Sequence, residues 1–504
     1  MMPKFNKPFP KVGRSIIPFG PNAINRAGAF SYQAAPAMAL YRQVATSLWS
    51  GDGYYETQEE WFRRFQENVK RVIREDVSYP FALAAYARDK QGLALRTSPI
   101  ALYVEAAANQ AAKGSGLIRR YAPRILLRAD EPAEAIAYFK THHRGVIPHG
   151  LLRGIADQLR RFDAYELAKY KHTGAVSMRD VMRLARPKPS SSDETQLWGK
   201  VVAGELELPY TWEVELSTCT TEDEKRRKWD ELIRSNKLGL FALTRNIRNI
   251  LKYGADIETA LGQITRERVK GSGILPFQWY KAYKAVKEVA GEAVAQPMQQ
   301  ALEWSLSDIP KLKGVTLVAC DNSGSMSRAF ASRGMTNAEI GNLMGAIALF
   351  CSEDAMAGTF GSTFALALTD TSRGLFYNKE QIDACGRLTG NSTNAWTVLQ
   401  ALSRERIYVD RLILLSDMQC YDSHSLMTRY GPMGHSLSAE LDAYSRMNPR
   451  AVVYSINLAS QDNTCQFAPG QPVVELAGWS ESIFQFIASM EAGEDIVQKI
   501  KEEY

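Results

Sequence analysis

From about residue 30 to residue 300, apolar positions recur every three to four residues and alternating β-branched runs are scarce, which predicts helix after helix. The clearest segment is TTEDEKRRKWDELIRSNKLGLFALTRNIRNILKYG, residues 220–254. Thr221 and Glu224 form a predicted capping box, and Trp229, Leu232, Ile233, Leu240, Leu243, Ile247, Ile250 and Leu251 follow at helical spacings before Gly254 ends the pattern. Gly239 is expected to divide the segment into two helices. Successive amphipathic helices over about 270 residues exceed a single bundle and predict stacked helix pairs, an α-solenoid.

After residue 312 the texture changes. KGVTLVACDNSGSMS places an apolar run before a polar turn, and NAEIGNLMGAIALFCSED then reads as a helix. Strand-like runs recur at TFALALT, DRLILLSDMQ and RAVVYSINLAS, separated by helical or polar segments such as NAWTVLQALSRERI. Short continuous apolar strands alternating with helices predict a doubly wound parallel sheet covered on both faces, so the fold class is α plus α/β. The boundary falls in SDIPKLKG, residues 307–314, dividing a helical domain over 21–306 from a second domain over 312–504. Residues 1–20, rich in Pro and Gly, read as an arm.

A length of 504 residues implies about three domain-sized blocks. With 45% hydrophobic and 23% charged residues the composition is that of a soluble globular chain. No run approaches the roughly 18 apolar residues of a membrane span, and the opening MMPKFNKPFPKVGR lacks an apolar core for export, so a cytoplasmic location is expected. Six cysteines stand far apart without a C-x-x-C pair, which fits free thiols in a reducing compartment, with Cys320 and Cys420 read as core residues.

Charge divides along the same boundary. Residues from 305 onward hold 15 Lys and Arg against 22 Asp and Glu, a balance of −7, while the first 304 hold 46 against 33, a balance of +13. The basic half is expected to meet a polyanion. Arg245, Arg248 and Lys252 form one stripe, and Lys281, Lys284 and Lys287 another among Trp279, Tyr280 and Tyr283. Those aromatics would stack unpaired bases if exposed, but the same helical spacing suits a core, which is the expectation for Trp279.

Asp321, Ser323 and Ser325 form D-x-S-x-S directly after a strand and before a helix, at the carboxyl edge of the sheet where open α/β folds bind ligands. Alternate residues of such a turn aim oxygens at one point, and Thr393 and Asp417 add two more from the ends of later elements. Two carboxylates and three hydroxyls are hard donors suited to Mg²⁺ or Mn²⁺, with a coordination position left open. These residue types also serve plain turns and helix caps, and it is their convergence at successive strand ends that favours a metal.

This five-residue pattern resembles the metal-ion-dependent adhesion site of von Willebrand factor type A domains, although TGNSTN stands where many members have a glycine pair before the threonine. The first half carries a further resemblance. LALRTSPIALYVEAA, KYKHTGAVSMRDVMRLARPKPSS, LFALTRNIRNILKYG and ILPFQWYKAYK are similar, in order, to blocks of the TROVE module of Ro ribonucleoproteins. The resemblance spans about residues 25 to 500. It implies a HEAT-like ring of helices joined to a type A domain, an outer surface for small noncoding Y RNA, and a basic central hole for single-stranded 3′ ends of misfolded RNA. Lys169 matches a family lysine implicated in Y RNA binding, in a block that also holds Lys171 and Arg183. The second basic position of that block is Thr173 here, and a family histidine is replaced by Arg186, which keeps the cation and adds a guanidinium fork. The family also implies a monomer that presents RNA to an exoribonuclease such as polynucleotide phosphorylase.

No nucleophile elbow, P-loop or zinc protease motif occurs. His142 and His143 are adjacent, which on a helix points them apart, and capping or surface roles are expected. A non-enzymatic RNA-binding protein is therefore the leading expectation. The alternatives are a metal-dependent protein-interaction module with the helices as scaffold, and a metal-dependent nuclease.

Overall fold

The computed structural model describes residues 23–26, 30–46, 56–90, 92–169, 174–207, 211–236, 238–274, 276–307, 309, 311–327, 329–330, 335–420, 435–459, 461–478, 483–484, 487 and 496–504. The expected arm over 1–20 lies outside them. The chain forms two compact units, one of Val69–Ser305 with Glu503–Tyr504, the other of Met1–Asn68 with Leu306–Glu502. The described residues between Ala23 and Asn68 therefore belong with the carboxyl-terminal half, a different division from the expected helical domain over 21–306.

The described residues of the helical unit contain no strand. Thr221 caps the helix Glu222–Arg234 as predicted: its hydroxyl accepts from Glu224 N at 3.2 Å, and the Glu224 carboxylate accepts from Thr221 N at 3.1 Å. Gly239 then caps a separate helix, Leu240–Lys252, and Gly254 leaves it at φ 65°. Trp229, Leu232, Ile233, Leu240, Leu243, Ile247 and Ile250 are all buried. At about 1.5–3 kcal/mol per large side chain, this burial outweighs the roughly 1 kcal/mol of the cap. Helix Leu240–Lys252 packs on Pro276–Ala290, whose Trp279, Tyr280 and Tyr283 face inward and are buried. They are core residues, so the alternative of a base-stacking surface fails for all three.

The other unit begins with two short strands, β1 (Ala23–Ile24) and β2 (Phe30–Gln33), where helix was expected from residue 30. Later strands are β3 (Leu312–Asp321), β4 (Ala329–Phe330), β5 (Met335–Thr336), β6 (Ser352–Phe360), β7 (Phe364–Leu366), β8 (Arg411–Ser416), β9 (Val452–Asn457), β10 (Thr464–Cys465) and β11 (Val473–Ala477). Six of them form one sheet in the order β11-β9-β8-β3-β6-β7, parallel except for the edge strand β7. Alternation along β3 explains its unbroken apolar run. Leu317 and Ala319 join Val398, Leu399, Leu412, Leu414, Leu441 and Val453 on one face, while Cys320 and Val318 meet the helix Asn337–Phe350 on the other. Both faces are dry.

That helix stops at Phe350, and the segment from Ser352, read above as its continuation, is the start of β6. Strand β6 is built from Ser, Glu, Asp, Ala, Met and Gly before its final Thr-Phe, so it carries little β-branched signal. Small residues also let elements approach. A Cβ at Gly345 would lie 2.6 Å from Cys320 Sγ. None of the six cysteines is in a disulfide, and those at 320, 351, 385 and 420 are buried. No helix among the described residues is long and apolar enough to cross a membrane.

Gly345→Ala should destabilise the sheet unit by about 1–3 kcal/mol through overpacking, and adding Cys320→Ala should recover part of the loss. Thermal unfolding of both variants checks this; equal midpoints for the single and double variants would show that the thiol does not limit the approach.

Candidate metal centre and nucleic-acid interface

Strands β3 and β8 are adjacent and parallel, with Cys320 opposite Leu415, so Asp321 and the Ser416–Asp417 pair emerge together at one carboxyl edge of the sheet. Asp321 ends β3 fully buried. Its Oδ1 accepts from Ser323 N at 2.8 Å, which closes the turn, and its Oδ2 accepts from Ser416 Oγ at 2.5 Å. The turn brings the Ser323 and Ser325 hydroxyls to 3.2 Å from each other, both buried. Asp417 Oδ1 accepts from Gln419 N and Oδ2 from Gln461 Nε2, each at 3.1 Å.

The Thr393 loop is held beside this turn by backbone. Gly324 N donates to Asn391 O at 2.9 Å, Asn394 N to Gly361 O at 2.9 Å, and Asn322 N to Phe360 O at 2.9 Å. Gly361 and Gly390 make the approach possible, since a Cβ at Gly361 would lie 2.0 Å from Gly390 O, and Gly390 has φ 83°. Thr393 is buried there. Beneath the turn, Asn322 and Asn342 exchange side-chain hydrogen bonds of 3.0 Å, Asn342 donates to Asp383 at 2.8 Å, and the buried Lys379 pairs with Asp383 at 2.6 Å. The turn therefore rests on a satisfied polar network rather than on apolar packing alone.

All five sequence-predicted oxygen donors thus lie buried in the loops at one sheet edge. Burial pushes the Asp321 carboxyl up to about 6, and burial together with the Asp321 charge pushes Asp417 up to about 7. Among the described residues no cation pairs with either carboxylate, and no cluster of three or more His, Cys, Asp or Glu offers a softer or more acidic site. Two uncompensated carboxylates beside three hydroxyls suit a small hard divalent cation. Sequence reasoning missed Ser416, Gln419 and Gln461. Ser416 and Gln419 lay inside the strand-like run DRLILLSDMQ, and nothing marked Gln461 as a partner of a residue 44 positions earlier.

The predicted cations are placed unevenly. Lys169 is exposed at the end of helix Ala164–Lys169, with Nζ 5.6 Å from the Tyr165 ring, which is itself exposed and was not singled out by sequence. Lys171 and Thr173 lie outside the described residues. Arg183 and Arg186 are exposed at the carboxyl end of helix Met178–Ala185, where positive charge complements the helix dipole, and Arg186 caps it at φ 46°. The Arg160 guanidinium donates to Lys188 O, and Arg161 Nη1 donates to Pro123 O at 2.9 Å. These two contacts bring the Arg186 turn and the helix Leu117–Ile125 beside further arginines that the motif did not flag.

Arg245 and Arg248 are exposed along helix Leu240–Lys252, and neither they nor Arg183 and Arg186 form an ion pair among the described residues. The second stripe is weaker. Lys281 is half-buried, with its ammonium held below the ordinary lysine range by burial, and Lys287 pairs with Glu292 at 2.7 Å, leaving Lys284 as the exposed member. His143 caps the helix Glu131–His142 and meets a single carboxylate, Glu105, at 3.1 Å.

The TROVE domain family matches residues 195–314, which covers the last two of the four sequence blocks. No curated protein matches the chain. Among solved structures, the Ro (RSR) protein of Deinococcus radiodurans superposes with a TM-score of 0.63 at 17% identity, over 91% of this chain and 100% of that one. The chain thus carries a TROVE-domain match over residues 195–314 and has the fold of that Ro protein.

Proposed function

We propose that this is a non-enzymatic RNA-binding protein, which holds small noncoding, Y-like RNA on the outer surface of its helical unit and takes single-stranded 3′ ends of misfolded RNA into a basic central hole of the ring. The observation that carries the reading is the set of exposed cations at Arg183, Arg186, Arg245 and Arg248, which form no ion pair among the described residues, in a half of the chain with a balance of +13. Arginine on a helix surface grips phosphate by a two-pronged hydrogen bond and reads no base, so such a surface selects shape and backbone. Lys169 beside the exposed Tyr165 adds a cation next to a ring on which an unpaired base can stack. The protein would act in the cytoplasm as a monomer in RNA quality control, presenting RNA to an exoribonuclease such as polynucleotide phosphorylase.

In this reading Asp321, Ser323, Ser325, Thr393 and Asp417 hold Mg²⁺ or Mn²⁺. The bound ion supplies an electrophilic position for a partner's carboxylate or phosphate oxygen. Ser416 and Gln461 orient the two carboxylates towards it, and the sheet edge keeps bulk water from them. Phosphodiester cleavage usually draws on several directly ligating carboxylates, and this donor set is richer in hydroxyls. The same geometry favours a second activity, metal-dependent capture of a protein partner, carried by a site on the other unit from the cationic helices.

Substituting Lys169 and Arg186 together by alanine should weaken binding of structured small RNA about tenfold and lower its salt dependence by about one to two counterions. Anisotropy titrations across salt concentrations check this, and unchanged affinity and slope would remove both residues from the interface. RNA affinity should persist in EDTA while capture of an acidic protein partner is lost; loss of both together would tie the RNA to the metal.

Both carboxyl groups titrate higher when folded than the usual value of about 3.9, so the folded state binds more protons between these limits and loses stability as pH rises. The metal-free protein should therefore become less thermostable from about pH 4 to about pH 7 and level off above it. Millimolar Mg²⁺ should remove most of the loss, and Asp417→Asn should flatten the profile. A thermal profile that is the same in Asp417→Asn and indifferent to Mg²⁺ would contradict the assignment.

A further inference from the structure

The unit that holds the five oxygen donors is assembled from two distant stretches of chain. Strand β2 pairs antiparallel with β10, with Gln33 opposite Thr464 and Tyr32 opposite Cys465. From this strap three hydrogen bonds enter the loops around Asp417. Arg26 N donates to Gln419 Oε1 at 2.8 Å and to Asp462 Oδ2 at 3.3 Å, and the buried Asn25 donates from Nδ2 to Cys420 O at 2.8 Å. Gln419 thus faces both ways. Its side-chain oxygen holds the strap while its backbone N–H holds Asp417 Oδ1.

Gln461, the other partner of Asp417, is anchored in the same manner. The residues after it are fastened by the amino-terminal stretch: Arg64 Nη1 donates to Asp462 O at 3.3 Å, Ala34 N to Asn463 O at 2.9 Å, and the Asn463 and Asn68 side chains bond each other at 2.9 and 3.0 Å. Arg64 is itself fixed by Glu56 at 2.6 Å. Gln419, Gln461 and Asn68 are almost wholly shielded from water, so a lost partner here leaves a buried polar group unsatisfied rather than hydrated.

We propose that Asn25, Gln419 and Gln461 are positioning residues of the metal centre, and that the amino-terminal strap is a working part of it. The inference rests on reading Asp321 to Asp417 as a divalent-cation site. A carboxylate that binds a cation must be held in one rotamer, and here both oxygens of Asp417 are held by groups that the strap immobilises. The coupling is reciprocal: whatever the strap adds to cation affinity, a bound cation adds to the docking of the strap.

The test uses the full chain with Mn²⁺ as the probe, read by electron paramagnetic resonance titration and by amide hydrogen exchange. Asn25→Ala and Gln461→Ala should each weaken Mn²⁺ binding about tenfold. In the metal-free protein Asn25→Ala should speed exchange at Gln419, and Mn²⁺ added to the unaltered chain should slow exchange at Arg26 and Ala34. Should Asn25→Ala fail to fold, Gln461→Ala, which removes none of the Asn25 and Arg26 hydrogen bonds given above, still carries the affinity measurement. Affinity within twofold of the unaltered chain for these variants overturns the proposal. If the unaltered chain takes up no Mn²⁺, the metal reading itself fails; unchanged exchange at Gln419 in metal-free Asn25→Ala then overturns the positioning role as well.

Discussion

Asp321 ends one strand and Asp417 directly follows the parallel strand beside it, and the sheet gives neither of them water. Two buried carboxyl groups at one edge cannot both carry full charge without repulsion and a large loss of hydration, so they share protons or a cation. Much around them answers that constraint. Ser416 and the Ser323 amide satisfy one carboxyl, the Gln419 amide and the Gln461 side chain satisfy the other, and the hydroxyls of Ser323 and Ser325 stand alongside. Small residues at 361 and 390 let the Thr393 loop close over the same edge. The arrangement stores unfavourable electrostatics where a binding event can relieve it.

What the sequence revealed follows from how far apart the interacting residues lie. The turn Asp-Asn-Ser-Gly-Ser is local, and β3, β8 and β9 announce themselves because strands covered on both faces need apolar residues at every position. Helix Glu222–Arg234 carries its own cap. Strand β6 was hidden by its small and acidic residues, whose place in the sheet comes from neighbours packing closely on them. Strand β2 was hidden because four residues carry no period, and its partner stands 431 residues further along. Gln461 was illegible for the same reason. Aromatic spacing was ambiguous in another way: Trp279 and Tyr283 repeat as platform residues would, and only tertiary packing turns them inward.

The helical unit divides its residues by a simpler rule. Its apolar stripes pack helix on helix, which leaves the arginines on the outward faces, and few acidic neighbours stand close enough to neutralise those at 183, 186, 245 and 248. Where an acid is close, as Glu292 is to Lys287, the cation is spoken for. Net charge alone therefore overstates the phosphate-binding surface, and the distribution of ion pairs corrects it.

The pairing of β2 with β10 also has a consequence for synthesis. At roughly 5–20 residues per second, the interval between making Gln33 and making Thr464 is about 20 to 90 seconds. During that time β2 can pair with β1, but the edge that will receive β10 stays open, while the helices that follow can mature from neighbouring contacts. A nascent chain of this design thus holds one edge of β2 in waiting, a natural client for a chaperone until β10 is translated.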